Sequence, residues 1–329
     1  MLSRKLKIML AAGLAVTVLA ACLVAVRQLH KETVHNSTPT IQVLTIGTAD
    51  SGGTMYPVGR AIAQILNEAV PTLKINISAS QGSLFNVKGL QAGQVDMALV
   101  SADVAYSAFT GTGAFKGEQV TSLRAIGAVY LSYSNWMAAD TSGLVYVHDL
   151  LGRRVSVGPQ DSTTGVSALM ALKVLGIDDS NTRFENYGLG SGSEALKQGT
   201  VDAMHGFAGI PIKSMSDVAD AQPCRLLLYT SEELEEILSR DSRFIKAVIP
   251  AGTYKGQTED VETFGVKCLL CVSENMDERL SYTITKYLYE NIDELGQHKQ
   301  YQPEFINMDL SIPLHTGATQ YYDEVGLMQ

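Results

Sequence analysis

One succession of elements occurs twice in this chain, and it limits the fold more than any other feature. A strand-like run, Ile41 to Thr48, leads into "ADSGGTMYPVG" and a helical pattern ending near Val70; strand Leu73 to Ala79, a helix begun at "QGS" and strand Val95 to Val100 follow. In the second half, strand Arg154 to Val157 leads into "DSTTG", a helix to Leu175, strand Arg183 to Tyr187, a "GSGS" turn and a closing Val-Asp strand. Alternating strands and helices require an α/β architecture with mainly parallel sheets covered by helices. Repetition of the whole order points to two similar lobes.

The ends of the two units agree residue by residue. Leu90, Gly93, Val95 and Asp96 correspond to Leu196, Gly199, Val201 and Asp202 at a constant offset. Glycine ends helices in the left-handed conformation, so each glycine marks a helix-to-strand turn. Two long apolar runs, Leu123 to Asp140 and Val261 to Ser273, suit strands that carry the chain across and back, the first crossing near Leu131 to Asn135. The helical patterns at "DERLSYTITKYLYENIDEL" and "GATQYYDEVGLM" then return to the first lobe. The expected division is residues 41–133 plus 266–329 for lobe 1 and 134–265 for lobe 2, with the two crossover strands as a hinge.

A chain of 329 residues with 46% hydrophobic and 18% charged residues is long enough for two such cores. Its start differs in character. Arg4, Lys5 and Lys7 precede an apolar stretch from Ile8 to Val26, the charge layout of an export signal. Leu19-Ala20-Ala21-Cys22 has the form of a lipoprotein cleavage box, with Cys22 the lipidated residue; the apolar residues also continue past it, approaching the roughly 20 that span a bilayer uncleaved. Both outcomes tether the chain outside the cytoplasmic membrane, with residues 1–26 as signal or anchor and 27–40 as a flexible stalk.

Loops of small residues feeding helices are natural seats for a carboxylate or phosphate, because a helix N-terminus offers unpaired N–H groups and a partial positive charge. Four such starts occur: Ser51 to Thr54, Gln81 to Ser83, Asp161 to Thr164 and Gly190 to Ser193. In open α/β sheets they fall at the carboxyl ends of strands, where ligands bind. Each terminus contributes about 0.3–1 kcal/mol, whereas micromolar binding requires about 8 kcal/mol. The hydroxyls of Ser51, Thr54, Ser83, Ser162, Thr163 and Thr164, the Asn86 amide and apolar cover from Tyr56, Tyr133 or Phe207 are the candidates to supply the rest. Gly52 and Gly53 permit close backbone approach. Ordinary N-capping is the competing reading of each single Ser or Thr.

Enzyme signatures are thin. The chain has no G-x-S-x-G, H-E-x-x-H or G-x-x-x-x-G-K-[ST]. A Ser-His-Asp assembly from Ser51, His205 and Asp103 is the catalytic alternative. Cys268 and Cys271 lie in a strand-like run, where positions three apart point to opposite faces, which argues against a shared metal and for buried apolar roles.

These residues resemble the TAXI-type solute receptors of TRAP transporters. The family's G-G-T-Y-Y-P-x-G is matched by Gly52 to Gly59, its G-S-x-x-N by Gly82-Ser83 and Asn86, and its G-x-x-D-x-A by Gly93, Asp96 and Ala98. "SADVAYSAFTGTGAF", "GTVDAMHGFAGIP" and "PLHTGATQYYDEVG" also resemble family segments, so the likeness runs from about Ile41 to the end. It implies a two-lobed periplasmic-binding-protein fold of type II. It also implies an extracytoplasmic receptor that holds a small acidic solute, glutamate, glutamine or a related dicarboxylate, between its lobes and delivers it to a sodium-coupled permease. Carried over by match, the ligand residues are Gly53, Thr54, Tyr56, Ser83, Asn86, Ser162 and Thr163, to which Ser51, Gly52, Gly82, Asp103, Tyr133, Thr164 and Phe207 are added as candidates. Met55, Asp50-Ser51, Ser101-Ala102 and DSTTG depart from the family pattern inside the expected pocket.

No arginine lies beside either DS loop, so the bidentate clamp for a carboxylate is missing from these motifs; Arg124, Lys88 and Arg153 are candidates to reach in. Removal of residues through Ala21 takes three cations and no acids, moving the net charge from −9 to −12, so long-range steering opposes an anion and local helix ends must attract it. The expectation is a non-enzymatic receptor without cofactor, metal or nucleic-acid partner. A ligand-sensing domain for a signalling partner and an extracellular serine hydrolase are the alternatives.

Overall fold

The computed structural model describes residues 41–160, 162–291 and 310–327. The export segment, Cys22, the stalk and Asp161 lie outside them. Among the described residues no helix is long and apolar enough to cross a membrane.

The first unit runs β1 (Gln42–Gly47), α1 (Met55–Ala69), β2 (Leu73–Ser78), α2 (Ser83–Gln91), β3 (Met97–Ser101) and α3 (Ala102–Thr110). Helix α1 buries Val58, Ile62, Ala63, Ile65 and Leu66 along one face, and Pro57 sits in its first turn, where no intrahelical N–H bond is lost. The chain then enters the 17-residue strand β4 (Leu123–Ala139).

The second unit runs β5 (Arg154–Ser156), α4 (Thr163–Val174), β6 (Arg183–Glu185), α5 (Leu189–Lys197), β7 (Ala203–Ala208), α6 (Lys213–Ala221), β8 (Cys224–Leu226), α7 (Ser231–Arg240) and β9 (Ile245–Ile249). Strand β10 (Val261–Ser273), α8 (Glu278–Glu290) and α9 (Thr316–Glu324) complete the chain. Elements α3, α6, β8, α7 and β9 add to the pattern read from the sequence.

The ten strands among the described residues join one sheet, whose main path is β2-β1-β3-β10-β4-β7-β5-β6, with β8 on β4 and β9 on β10. Each unit forms its own parallel trio: β1 pairs with β2 and β3, and β5 pairs with β6 and β7. The two long strands lie antiparallel between the trios. Strand β4 changes partner at Tyr133, which is opposite Gly265 of β10 on one side and Ala208 of β7 on the other. The architecture is α/β with a mainly parallel sheet in each half, flanked by helices.

The repeat extends to individual hydrogen bonds. Gly93 and Gly199 both take the left-handed conformation, with φ of 64° and 68°. The aspartate three residues later then turns back to the first strand of its own unit. Asp96 Oδ2 accepts from Thr45 N at 2.7 Å while Asp96 N donates to Thr45 O at 2.9 Å. Asp202 Oδ2 accepts from Arg154 N at 2.8 Å while Asp202 N donates to Arg154 O at 2.7 Å. Each aspartate thus satisfies backbone groups of the first strand in its own trio.

Apolar residues cover both sheet faces. Leu44, Ile46, Ile62, Leu66, Cys268 and Leu270 pack with Ile284, Leu288, Tyr321 and Tyr322, which seats α8 and α9 on the first unit. Cys271 faces the other core, with Val87, Ala168, Phe207 and Phe264. Cys268 and Cys271 are therefore buried on opposite faces of β10, as strand alternation requires. Among the described residues no three His, Cys, Asp or Glu side chains stand close enough together to hold a metal ion.

Candidate functional site

Strands of a parallel trio all end on the same side, so the loops that leave them and start helices collect at one edge. Here the two trios bring their loops to a common cavity of about 370 Å³. Thr54, Gly82, Ser101, Ser162 and Gly188 are the N-cap residues of α1 to α5, and all five line it. Three come from the first unit and two from the second. The first N–H groups of each helix have no acceptor within that helix. The cavity is thus ringed by partial positive charge without a cationic side chain, since no Lys or Arg is among its described lining residues. Arg124 pairs with Glu274, and neither Lys88 nor Arg153 lines the cavity.

Three of the loops singled out in the sequence reach the wall, through Gly53 and Thr54, Gln81 and Gly82, and Ser162 to Thr164; Gly190 to Ser193 instead lie within α5, whose start at Gly188 and Leu189 lines the cavity, and Ser101 supplies a further helix start. Its signal was present: "SAD" directly after an apolar strand places a serine at the cap and an acid in the first turn. Of the candidate residues, Gly53, Thr54, Gly82, Ser162, Thr163, Thr164 and Phe207 line the cavity. Ser51 and Tyr56 do not; they face a separate outer depression with Arg60 and Pro211. Gly52 also lies off the wall, but a Cβ there would stand 3.9 Å from the Gly190 amide nitrogen, so the first loop runs close beside the opposite unit.

Ser83 and Asn86 lie beneath the site. Asn86 Nδ2 donates to the carbonyls of Thr48 and Leu99, at 2.9 and 2.7 Å, and its Oδ1 accepts from Ser80 Oγ at 2.7 Å, tying β1, β3 and the β2–α2 loop together. Ser83 Oγ accepts from Ser101 N at 3.0 Å. Asp103 is partly buried, its Oδ1 is buried without a hydrogen-bond partner among the described residues, and burial pushes its carboxyl above the usual range against the opposing effect of the Ser101 side chain. Tyr133 falls on the wrong face. Side chains alternate along β4, and Tyr130 and Ser132 point into the cavity while Leu131 and Tyr133 pack into the core with Met137 and Met204.

Two of the hydroxyls that line the wall are spent on holding the units together. Thr54 Oγ1 donates to the Gly209 carbonyl at 2.9 Å, a buried bond between the first and second units. Thr163 Oγ1 donates to Ser83 Oγ at 3.3 Å and lies 3.3 Å from Ser101 Oγ. Within the described residues, no hydrogen bond occupies the Thr164 hydroxyl or the side-chain amides of Gln81 and Gln160. All three line the cavity; Gln160 was not singled out in the sequence, and Gln81 was named there only as part of a helix start, not for its side chain.

His205 belongs to the scaffold. It is buried, and burial pushes its imidazole down to about 3, against the opposing effect of its hydrogen bond to Thr164. The neutral ring carries one N–H. The Thr164 carbonyl only accepts, so Nδ1, at 3.1 Å, is the donor, and Nε2 accepts from Ser134 Oγ at 3.0 Å. Trp136 Nε1 donates to Tyr229 Oη at 2.6 Å, and Tyr229 Oη stands 3.3 Å from Ser134 Oγ, which extends the network along β4. Neither Ser51 nor Asp103 is among the partners of His205, so the three do not form a charge-relay set.

Several solved structures are similar along most of their length. The periplasmic aliphatic sulphonate binding protein SsuA from Escherichia coli is 14% identical, over 87% of this chain and 89% of that one, with a TM-score of 0.47. A putative L-cystine ABC transporter from Listeria monocytogenes is 14% identical over 80% and 99%, with a TM-score of 0.47. A Xanthomonas citri protein bound to chloride ion is 12% identical over 86% and 99%, with a TM-score of 0.49. At these levels the likeness says nothing of what this chain binds. A family model matches residues 46–326, from the end of β1 to just past α9, and on that match the chain belongs to the NMT1-like family.

Proposed function

We propose that this chain is an exported solute-binding receptor that closes two lobes over a small acidic solute. The observation that carries this reading is the convergence of five helix N-termini, from both units of the repeat, on one cavity of about 370 Å³. Residues 41–133 with 266–329 form one lobe and 134–265 the other, and they move about β4 and β10. Five helix ends contribute together about 1.5–5 kcal/mol, taking about 0.3–1 kcal/mol for each. Micromolar binding needs about 8 kcal/mol. The Thr164 hydroxyl, the amides of Gln81 and Gln160, and apolar cover from Phe207, Leu189 and Met55 supply the remainder on closure. Delivery to a TRAP-type permease is supported by the motif resemblance between Gly52 and Gly59 and between Gly82 and Ala98, and tethering by Cys22 or by the uncleaved apolar stretch from Ile8 to Val26. The chain acts without catalysis or cofactor in this reading.

Native mass spectrometry of the purified protein, followed by a thermal-shift panel of dicarboxylates, keto acids and amino acids, tests it. Ligand at 100 times its Kd stabilises by about 2.7 kcal/mol, a clear shift. A folded protein that retains no solute and answers none of the panel refutes the reading.

A further inference from the structure

The electrostatics of the cavity have two signs. Helix ends surround it, yet the only charged side chain among its described lining residues is an acid, Asp50. Asp50 Oδ1 accepts from the Gly52 amide at 2.6 Å, which fixes the carboxylate beside Gly53 in the loop that runs against Leu189 and Gly190 of the other unit. Among the described residues the second oxygen, Oδ2, accepts no hydrogen bond. A solute enclosed here would have its anionic end drawn to the helix starts at Gly82, Ser162 and Gly188, and a second anionic end would meet Asp50 as the loops close. Two like charges brought together out of water repel strongly, whereas an ammonium at the same place gains a charge-assisted hydrogen bond. The net charge of −9 acts the same way at long range, since it opposes approach of a dianion more than that of a net-neutral zwitterion.

Resting on the proposed receptor function, we infer that Asp50 sets the charge selectivity of the cavity, favouring a solute that carries both a carboxylate and a cationic group over the anion of the same skeleton without the cation. Isothermal titration with pairs that differ only by the amino group, L-glutamate against glutarate and L-alanine against propionate, tests this on the wild type and Asp50→Asn. Asparagine keeps the Oδ1 acceptor for Gly52 and removes the charge. In the pair that fits the cavity, the amino compound binds the wild type at least about tenfold more tightly, and Asp50→Asn brings the ratio towards one. Equal affinities in the wild type, or a ratio unchanged by the substitution, overturn the role of Asp50 and leave the receptor reading standing. Silence of all four probes on folded wild-type protein overturns the inference together with the acidic-solute reading on which it rests.

Discussion

Replacement of His205 by glutamine tests whether the buried network behind the site is neutral. In the folded protein the imidazole titrates at about 3, because burial disfavours its charged form, whereas in the unfolded chain its pKa is about 6.5. Between these values the unfolded state binds the extra proton, so the stability that His205 contributes is complete above pH 6.5 and is lost as pH falls towards 3. The slope approaches about 1.4 kcal/mol per pH unit below the unfolded pKa, and integrated between pH 6.5 and 4.5 it amounts to about 2.3 kcal/mol. That is a large part of a typical total of about 5–15 kcal/mol. Glutamine has an N–H to offer the Thr164 carbonyl and an oxygen to accept from Ser134, so it replaces the bonds without the titration. Urea unfolding of both proteins at pH 7.5, 6.5, 5.5 and 4.5 should show the wild-type advantage shrinking at that slope below pH 6.5. Parallel curves, or an imidazole resonance of His205 that titrates near 6.5 in the folded protein, would refute the assignment.

Other consequences concern the cleft and the strands behind it. Thr54→Val leaves the buried Gly209 carbonyl without its donor and should cost about 1–3 kcal/mol in urea unfolding; an unchanged midpoint counts against the tie between units. Gly265→Ala places a Cβ 2.5 Å from the Ser132 carbonyl oxygen inside the β10–β4 pair, where only backbone movement relieves it, and should lower stability by about 1–3 kcal/mol; a wild-type melting curve contradicts that contact. Gly53→Ala places a Cβ 3.5 Å from Leu189 Cδ1, an ordinary contact, so the fold should persist, as circular dichroism would show, while the solute-induced thermal shift falls; an undiminished shift removes Gly53 from the binding surface. Asp103 has a raised carboxyl pKa, so the cost of ionising it in the fold is absent below the ordinary carboxylate range and grows as pH rises through that range. Asp103→Asn should therefore gain on the wild type with increasing pH, and a difference in unfolding free energy that is flat with pH disproves the burial effect.

The parts of this protein that were legible in its sequence are those decided over short stretches of chain. Left-handed glycines at Gly93 and Gly199, caps such as Ser162, and the alternation of strand and helix patterns depend on sterics and hydrogen bonds among neighbouring residues. Their repetition in the same order led directly to two parallel trios joined by two long strands. Because those strands end together, it also placed the helix starts at a common edge.

What only the tertiary structure decided depends on residues far apart. Whether Tyr130 or Tyr133 faces the cavity is a matter of strand register, and a shift of one residue exchanges the two faces. The sequence does not show that Thr54 spends its hydroxyl on Gly209, 155 positions away, or that Asn86 braces β1 and β3 from below the pocket. Nor does it show that Gln81, Gln160 and Asp50 reach the wall while no Lys or Arg does. A side chain's local signal states which bonds it is able to make; only the packed fold states which partner comes within reach.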